Sequence, residues 1–212
     1  MKKAFASLFA ASLMLLGTQA FAQISVGAGY LNSTESVKSG SNKSSDNVNG
    51  FYAGASYNIP LVGELGVAPG LYFSLLSGKQ DIASVGSLAA VKGTFTEMAL
   101  NIPVNFNYGY NLAPDMRAFV FAGPTFQYGL SSKVKYDATT IVGNASKTVD
   151  NYGDNSDYGR FNVYLGGGVG MDIASTFQVT VGYDYGLVNL YTGDNDIQRH
   201  RSNIKIGVAY LF

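Results

Sequence analysis

Between Ile24 and Phe212 apolar side chains recur at every second position in eight separate stretches, the period of β-strands whose two faces meet different surroundings. The stretches run Ile24–Leu31, Phe51–Ile59, Leu65–Leu75, Glu97–Tyr108, Arg117–Tyr128, Arg160–Ile173, Phe177–Gly186 and Asn203–Phe212. Most approach the ~9 to 11 residues that a tilted strand needs to cross a bilayer. The connections alternate as well. Those after the odd-numbered stretches are long and polar, as in Asn32–Gly50 and Ser131–Asp157, and those after the second, fourth and sixth are short, as in Pro60–Glu64 and Ala174–Thr176. Long loops at one end and tight turns at the other predict an all-β fold: an eight-stranded antiparallel up-and-down transmembrane β-barrel.

The two faces say which solvent each side meets. One face, with Val26, Tyr57, Leu71, Ile102, Val120, Leu165, Val181 and Ile206 among its members, carries no charge and a single glycine, Gly167. The other holds most of the strand glycines, among them Gly27, Gly29, Gly54, Gly123, Gly166, Gly168, Gly170 and Gly207. It also holds six charges: Glu97, Arg117, Arg160, Asp172, Asp184 and Lys205. The lumen of an eight-stranded barrel is only wide enough for its own side chains, so the small and charged face belongs inside and the bulky apolar face outside, against lipid. A soluble barrel with its apolar face inward, as in a lipocalin, would overfill the lumen and expose a glycine-rich wall to water. Aromatic residues fall near the loop end (Tyr30, Phe51, Phe73, Tyr128, Tyr185) and near the turn end (Tyr57, Tyr108, Tyr110, Phe177, Tyr210), as two interfacial girdles would. Pro69, Pro103 and Pro124 lie on strands without a ladder donor, so local bulges are expected there.

Composition agrees with this reading. The 212 residues include 26 Gly, 15 Tyr and 13 Phe but only five Pro and no Cys, so neither disulfides nor thiolate metal sites contribute. No run after residue 22 reaches the length of a membrane-spanning helix. Residues 1–22 read as a removable export signal: Lys2 and Lys3 at the start, an apolar stretch from Ala4 to Leu16, and Ala20-Phe21-Ala22 as a small-x-small cleavage site. The barrel domain is then 23–212. Removing the two lysines from 14 Lys+Arg leaves 12 against 14 Asp+Glu, a balance that points to no nucleic-acid partner.

Five stretches carry a resemblance: Asn101-Ile-Pro-Val-Asn-Phe-Asn-Tyr108, Arg117-Ala-Phe-Val-Phe-Ala-Gly-Pro124, Phe161-Asn-Val-Tyr-Leu-Gly-Gly-Gly168, Tyr183-Asp-Tyr-Gly-Leu-Val-Asn189 and Ile204-Lys-Ile-Gly-Val-Ala-Tyr-Leu-Phe212. They resemble the small outer-membrane β-barrel proteins of Gram-negative bacteria, the porin-family or OmpX/OmpA-like group. Before Leu100 the likeness is one of pattern only. The resemblance implies export to the outer membrane, with lipid and lipopolysaccharide as surroundings. It also implies recognition by the barrel-assembly machinery through Val208, Tyr210 and Phe212.

Among candidate chemistries, the six inward charges are the most informative. Asp184 and Lys205 stand equally far from the turn end of neighbouring strands, and Arg117 and Asp172 both lie near that end, so each couple is expected to pair. Glu97 and Arg160 lie near the loop end two strands apart, roughly 10 Å, which long side chains can bridge. The expected result is a buried ion-pair network that plugs the lumen; the alternative is a narrow polar path or gate. His200 and Ser202 share one side of the last strand, and the His-x-Ser-Asn run resembles that of outer-membrane lipid A deacylases, with Asp194 or Asp196 as the orienting acid. Asp150, Asp154 and Asp157, like Asp194 and Asp196, make oxygen-rich loops that lack the spacing of a calcium loop. The expectation is therefore a monomeric, non-enzymatic barrel without cofactor or metal, with a structural or surface-interaction role through four extracellular loops. The alternatives are a low-conductance channel, a lipid A deacylase-like enzyme, and an accessory barrel of a secretion system.

Overall fold

A computed structural model describes residues 23–85, 89–140, 143–153, 156–193 and 197–212. The expected export signal lies outside them, as do Asp154, Asp194 and Asp196. Among the described residues nine strands form: β1 (Gln23–Ser39), β2 (Asn42–Val62), β3 (Leu65–Val85), β4 (Ala89–Ala113), β5 (Met116–Thr140), β6 (Gly143–Asp150), β7 (Phe161–Ile173), β8 (Phe177–Gly186) and β9 (Ile197–Leu211). Eight of them pair antiparallel with their neighbours in the order β4-β3-β2-β1-β9-β8-β7-β5, and β4 pairs with β5 to close the ring. The ninth, β6, pairs with the last third of β5, from Lys133↔Asp150 to Thr140↔Gly143.

The expected faces hold. Outward residues such as Phe51 and Val208 are 68% and 62% exposed, while inward neighbours such as Ser74, Asn162 and Asp184 are buried. A continuous apolar outer wall of this kind needs lipid around it. Rings of the two expected girdles meet edge to face, Tyr30 with Phe51 at 6.3 Å and Phe177 with Tyr210 at 5.8 Å.

Strand lengths differ from expectation. The segment Asn32–Gly50, read as a loop, is a two-stranded ribbon paired without interruption up to Ser39↔Asn42, where Gly40 turns the chain with φ 58°. Both faces of this ribbon are polar, so the alternation that betrays a strand in lipid vanishes although the ladder continues. Cross-strand side-chain bonds take over: Asn32 Nδ2 donates to Asn49 Oδ1 at 2.7 Å and Thr34 Oγ1 to Asn47 Oδ1 at 2.5 Å. In the same way β4 and β5 reach 25 residues each, more than twice what a crossing needs. β7 and β8 stop where expected.

Pro69, Pro103 and Pro124 make no bulges. Ladder pairs are missing beside Pro69, between Ser56↔Gly70 and Ile59↔Val67, yet the register is the same on both sides. The same holds from Pro103↔Thr125 to Phe106↔Ala122. A missing N–H removes a bond without adding a residue. The register shift that matters lies between Met98 and Ala99, where β4 faces an extra β5 residue, Leu130. Beyond it the inward parity of β5 changes, so that Ser132 is fully buried.

Candidate functional site: the barrel interior

Inward side chains form three layers. At the turn end Arg117 lies opposite Asp172 in the β5–β7 register, and Arg117 Nη1 reaches Asp172 Oδ2 at 3.4 Å. Arg117 Nη2 donates to Asn107 Oδ1 at 3.1 Å, Gln178 Nε2 donates to Asp172 Oδ1 at 2.9 Å, and Glu64 approaches Arg117 at 4.0 Å. This is the expected couple, extended by two amides and a turn carboxylate.

In the middle, Lys205 Nζ meets Asp184 Oδ2 at 2.5 Å, the second expected couple. Asp184 faces Asn203 across the ladder and Lys205 faces Gly182, so the lysine reaches diagonally. A relay of neutral groups completes this layer. Tyr164 donates to Gln127 Oε1 at 3.0 Å, Gln127 Nε2 to Asn101 Oδ1 at 2.8 Å, and Asn101 Nδ2 to Ser74 Oγ at 2.8 Å. Beside it lies a cavity of about 140 Å³ lined by Asn101, Gln127, Tyr164, Asn203, Lys205 and the rings of Tyr52, Tyr72 and Phe121.

At the loop end the expected couple is replaced. Glu97, 2% exposed, pairs with Arg201, 4% exposed, through a short bond to Oε1 and a 3.1 Å bond to Oε2. Arg201 Nη2 also donates to Glu35 Oε2 at 2.9 Å and to the Tyr158 hydroxyl at 2.5 Å, and Tyr158 donates to Glu35 Oε2 at 2.8 Å. Arg199 stands 3.5 Å from Glu35 and lies over the Tyr158 ring at 5.1 Å. Arg160 takes no part: it is exposed, donates to the Tyr152 carbonyl at 2.8 Å and sits over the Tyr152 ring at 4.8 Å. The reason is backbone geometry. β7 begins only at Phe161, so Arg160 lies beyond the wall, whereas β9 continues upward to Ile197 and makes position 201 an inward one. Glu35 and Arg201 share parity with Leu31 and Asn203, and carrying the inward parity past the apolar stretches would have found both.

Segments between the strands close the loop end. Tyr158 and Tyr191 form an isolated antiparallel bridge, with Gly159 N donating to Leu190 O at 2.8 Å and Thr192 N to Asp157 O at 3.0 Å. Leu190 is buried beneath. Burial pushes the Tyr158 phenol well above its ordinary value of 10.0; Arg201 opposes the shift, while Glu97 and Glu35 add to it.

His200 and Ser202 lie on the outward face. His200 stacks on Tyr185 with centroids 6.1 Å apart, and its Nδ1 stands 3.2 Å from the Gly186 carbonyl. Among the described residues no carboxylate pairs with His200, and no group of three His, Cys, Asp or Glu is placed to hold a metal. Val208, Tyr210 and Phe212 also face outward, with Tyr210 edge-on to Phe212 at 4.7 Å.

A family model described as an outer membrane protein beta-barrel domain matches residues 11–192. No curated protein sequence matches the chain. Among solved structures the chain is similar to the attachment invasion locus protein Ail of Yersinia pestis, in complex with the heparin analogue sucrose octasulfate: 17% identity over 91% of this chain and 100% of that one, TM-score 0.47. It is similar to Neisserial surface protein A, with 13% identity over 89% and 97% and a TM-score of 0.45. A third is the outer membrane enzyme PagL, with 12% identity over 88% and 97% and a TM-score of 0.44.

Proposed function

The chain belongs to the outer membrane protein beta-barrel domain family and resides in the outer membrane, and from that premise we propose that it is a non-enzymatic, non-conducting barrel that holds a stiff sheet above the membrane for recognition. The observation that carries this is the length of β4 and β5, 25 residues each against the ~9 to 11 needed to cross. With β6 added to β5, the sheet continues into the surroundings as paired strand, so whatever it presents is held in place rather than sampled by loops. The lumen supports the non-conducting half of the proposal. Glu97, Arg201, Glu35 and Tyr158 close it at one end and Arg117 with Asp172 at the other.

In this reading lipopolysaccharide surrounds the outer half of the apolar wall and the barrel is a monomer, since the closed ring leaves no strand edge within the membrane. Val208, Tyr210 and Phe212 form the strip by which the barrel-assembly machinery engages the last strand. Three measurements test the proposal. In a planar bilayer the purified protein is expected to give no conductance step; a reproducible step overturns the closed lumen. Incubation with lipopolysaccharide is expected to release no fatty acid, and release would place chemistry at His200 and Ser202. Cells carrying the full chain are expected to bind members of an immobilised glycan and matrix-protein panel, with binding lost when 134–149 is replaced by a tight turn. Identical profiles for both chains dismiss the recognition role. The cavity of about 140 Å³ between the two closures favours a second reading, a low-conductance path for small solutes that opens when the end clusters part.

A further inference from the structure

Lysine is distributed unevenly over the barrel. Lys38, Lys43, Lys79, Lys92, Lys133 and Lys135 all occupy outward positions beyond the loop end of the apolar wall, and none of the tight turns at the other end carries a lysine. Lys79, Lys133 and Lys135 converge on β4. Lys79 faces Thr94 across the β3–β4 ladder and Thr94 faces Lys135 across β4–β5; one row lower, Thr96 faces Lys133. The ladders thus set two threonines between a lysine on β3 and a pair on β5. At the backbone Lys79 and Lys135 are roughly 10 Å apart, and Lys133 and Lys135 roughly 7 Å. The three lysines are exposed and the threonines half-buried.

Protection of a strand edge does not account for this placement. A lysine on an edge strand blocks stray pairing, but at Lys133 and Lys135 β5 is paired with β4 on one side and β6 on the other. Nor do neighbouring carboxylates use up the charge. Asp137 Oδ1 meets Lys135 Nζ at 2.9 Å with both side chains about half exposed, a weak pair that a stronger anion displaces. Asp150, opposite Lys133, accepts the Tyr152 N–H at 2.9 Å. Lys92 lies one row higher, between Asp81 and Asp137 in the two ladders, so its charge is matched and it stands outside the cluster.

Height says which anion the cluster meets. The last exposed apolar residues below it are Leu75 on β3, Met98 on β4 and Leu130 on β5. The five polar residues follow these by two to five positions along the same strands, which at the usual tilt is about 5 to 13 Å above the apolar wall. The headgroup layer of a bilayer starts there and is about 5 to 8 Å deep on each side, and lysine stems bend so that their ammonium groups reach it. Three ammonium groups and two hydroxyls can all donate, which suits a doubly charged phosphate monoester with three acceptor oxygens.

We propose that Lys79, Lys133, Lys135, Thr94 and Thr96 bind one phosphate monoester on the headgroup of an outer-leaflet lipopolysaccharide and so hold the tall sheet against the leaflet. The proposal rests on the reading that lipopolysaccharide surrounds the outer half of the wall. The test separates the two, because it is run in lipid discs of fixed composition and reads binding whatever the protein recognises on the cell.

The full mature chain is refolded into phosphatidylcholine discs, and the backbone amide signals of Thr94 and Thr96 are followed by nuclear magnetic resonance as bisphosphorylated lipid A is raised. Saturable shifts are expected. At about fivefold per lysine, the midpoint should rise about a hundredfold in the triple variant Lys79→Gln, Lys133→Gln, Lys135→Gln. It should stay the same in Lys38→Gln with Lys43→Gln, which removes two outward charges elsewhere on the rim. Heat-modifiable gel migration confirms that each variant is folded. Fully dephosphorylated lipid A, phosphatidylglycerol at the same mole fraction and inorganic phosphate are each expected to give no saturable shift. Saturation by the dephosphorylated lipid or by phosphatidylglycerol overturns the phosphate monoester, and saturation by inorganic phosphate overturns the lipid headgroup. Equal midpoints in the natural protein and the folded triple variant, equal losses in the triple and double variants, or no shift with lipid A overturn the site.

Discussion

Replacing Arg201 with methionine keeps most of the side-chain volume and removes the one cation that faces Glu97. Glu97 is 2% exposed, and among the described residues Arg201 is its sole ion-pair partner. Glu35 is less affected, because Arg199 remains 3.5 Å away. The perturbation therefore leaves one uncompensated carboxylate in a dry site, which costs about 3 to 5 kcal/mol. With a urea dependence of about 3 kcal/mol per molar for a chain of this size, the unfolding midpoint should fall by about 1 to 2 M. Heat-modifiable migration of the detergent-solubilised protein across a urea series reads this directly. The double variant Glu97→Gln with Arg201→Met removes both charges and should recover much of the loss, since exchanging a whole buried pair for neutral groups costs far less than breaking it.

The control is Arg160→Ala. The sequence assigns Glu97 to Arg160, but the structure leaves Arg160 exposed on the Tyr152 ring, where its loss should cost no more than about 1 kcal/mol. If Arg201→Met and Arg160→Ala lower the midpoint equally, or if Arg201→Met moves it by less than about 0.3 M, the loop-end cluster is wet and the closure argued from it fails.

Three further outcomes follow from other parts of the barrel. Gly170→Ala drives a methyl into the Phe119 ring and should destabilise by about 1 to 3 kcal/mol; adding Phe119→Leu should restore part of this, and a double variant no more stable than the single one would refute the packing. The Tyr158 phenol is raised above 10.0 by burial, so docking of its segment is fully stable below pH 10 and weakens as pH rises further, because the undocked tyrosine ionises first. Proteolysis at 156–160 should therefore increase above about pH 10 in the natural protein but not show that step in Tyr158→Phe, and a flat profile in both would count against a buried hydroxyl. Ala174 and Ser175 turn the chain with φ of 53° and 50°, so Ala174→Gly should raise stability by about 0.5 to 1 kcal/mol, seen as a higher melting temperature.

The apolar half of this fold was legible because lipid and lumen differ so sharply. Phe177–Gly186 was read to its last residue, and the Arg117–Asp172 and Asp184–Lys205 couples followed from counting along strands anchored at short turns. Legibility ended where both faces of the sheet leave the membrane. Glu35 lies four residues past the end of the stretch Ile24–Leu31 and Arg201 two before the start of the stretch Asn203–Phe212, and there no contrast in polarity marks inside from outside. The error at Arg160 has the same origin: its parity is inward, but the strand that would carry the parity has not begun. The relay from Tyr164 through Gln127 and Asn101 to Ser74 was unreadable for another reason, since satisfaction of an amide here depends on four strands at once.

The abundance of inward glycine has a more specific cause than small size. Five bulky rings point into the lumen, and each faces a glycine directly across a ladder: Tyr52 opposite Gly29, Tyr72 opposite Gly54, Phe119 opposite Gly170, Phe121 opposite Gly168 and Tyr164 opposite Gly186. A side chain at Gly29 or Gly170 would occupy the space of the ring itself. Glycine is thus the seat on which an aromatic side chain lies down, and a narrow eight-stranded lumen can then be filled by rings laid across its wall. From Glu97 to Asn107 β4 supplies the lumen with neither a ring nor a glycine seat. Its inward positions from Glu97 to Gly109 are Glu97, Ala99, Asn101, Pro103, Asn105, Asn107 and Gly109, with no ring among them. The cavity lies against that strand, bounded by Asn101, Pro103, Asn105 and Asn107. Where the wall supplies amides in place of rings the packing opens, so the position and the polarity of the chamber share one origin in the sequence of β4.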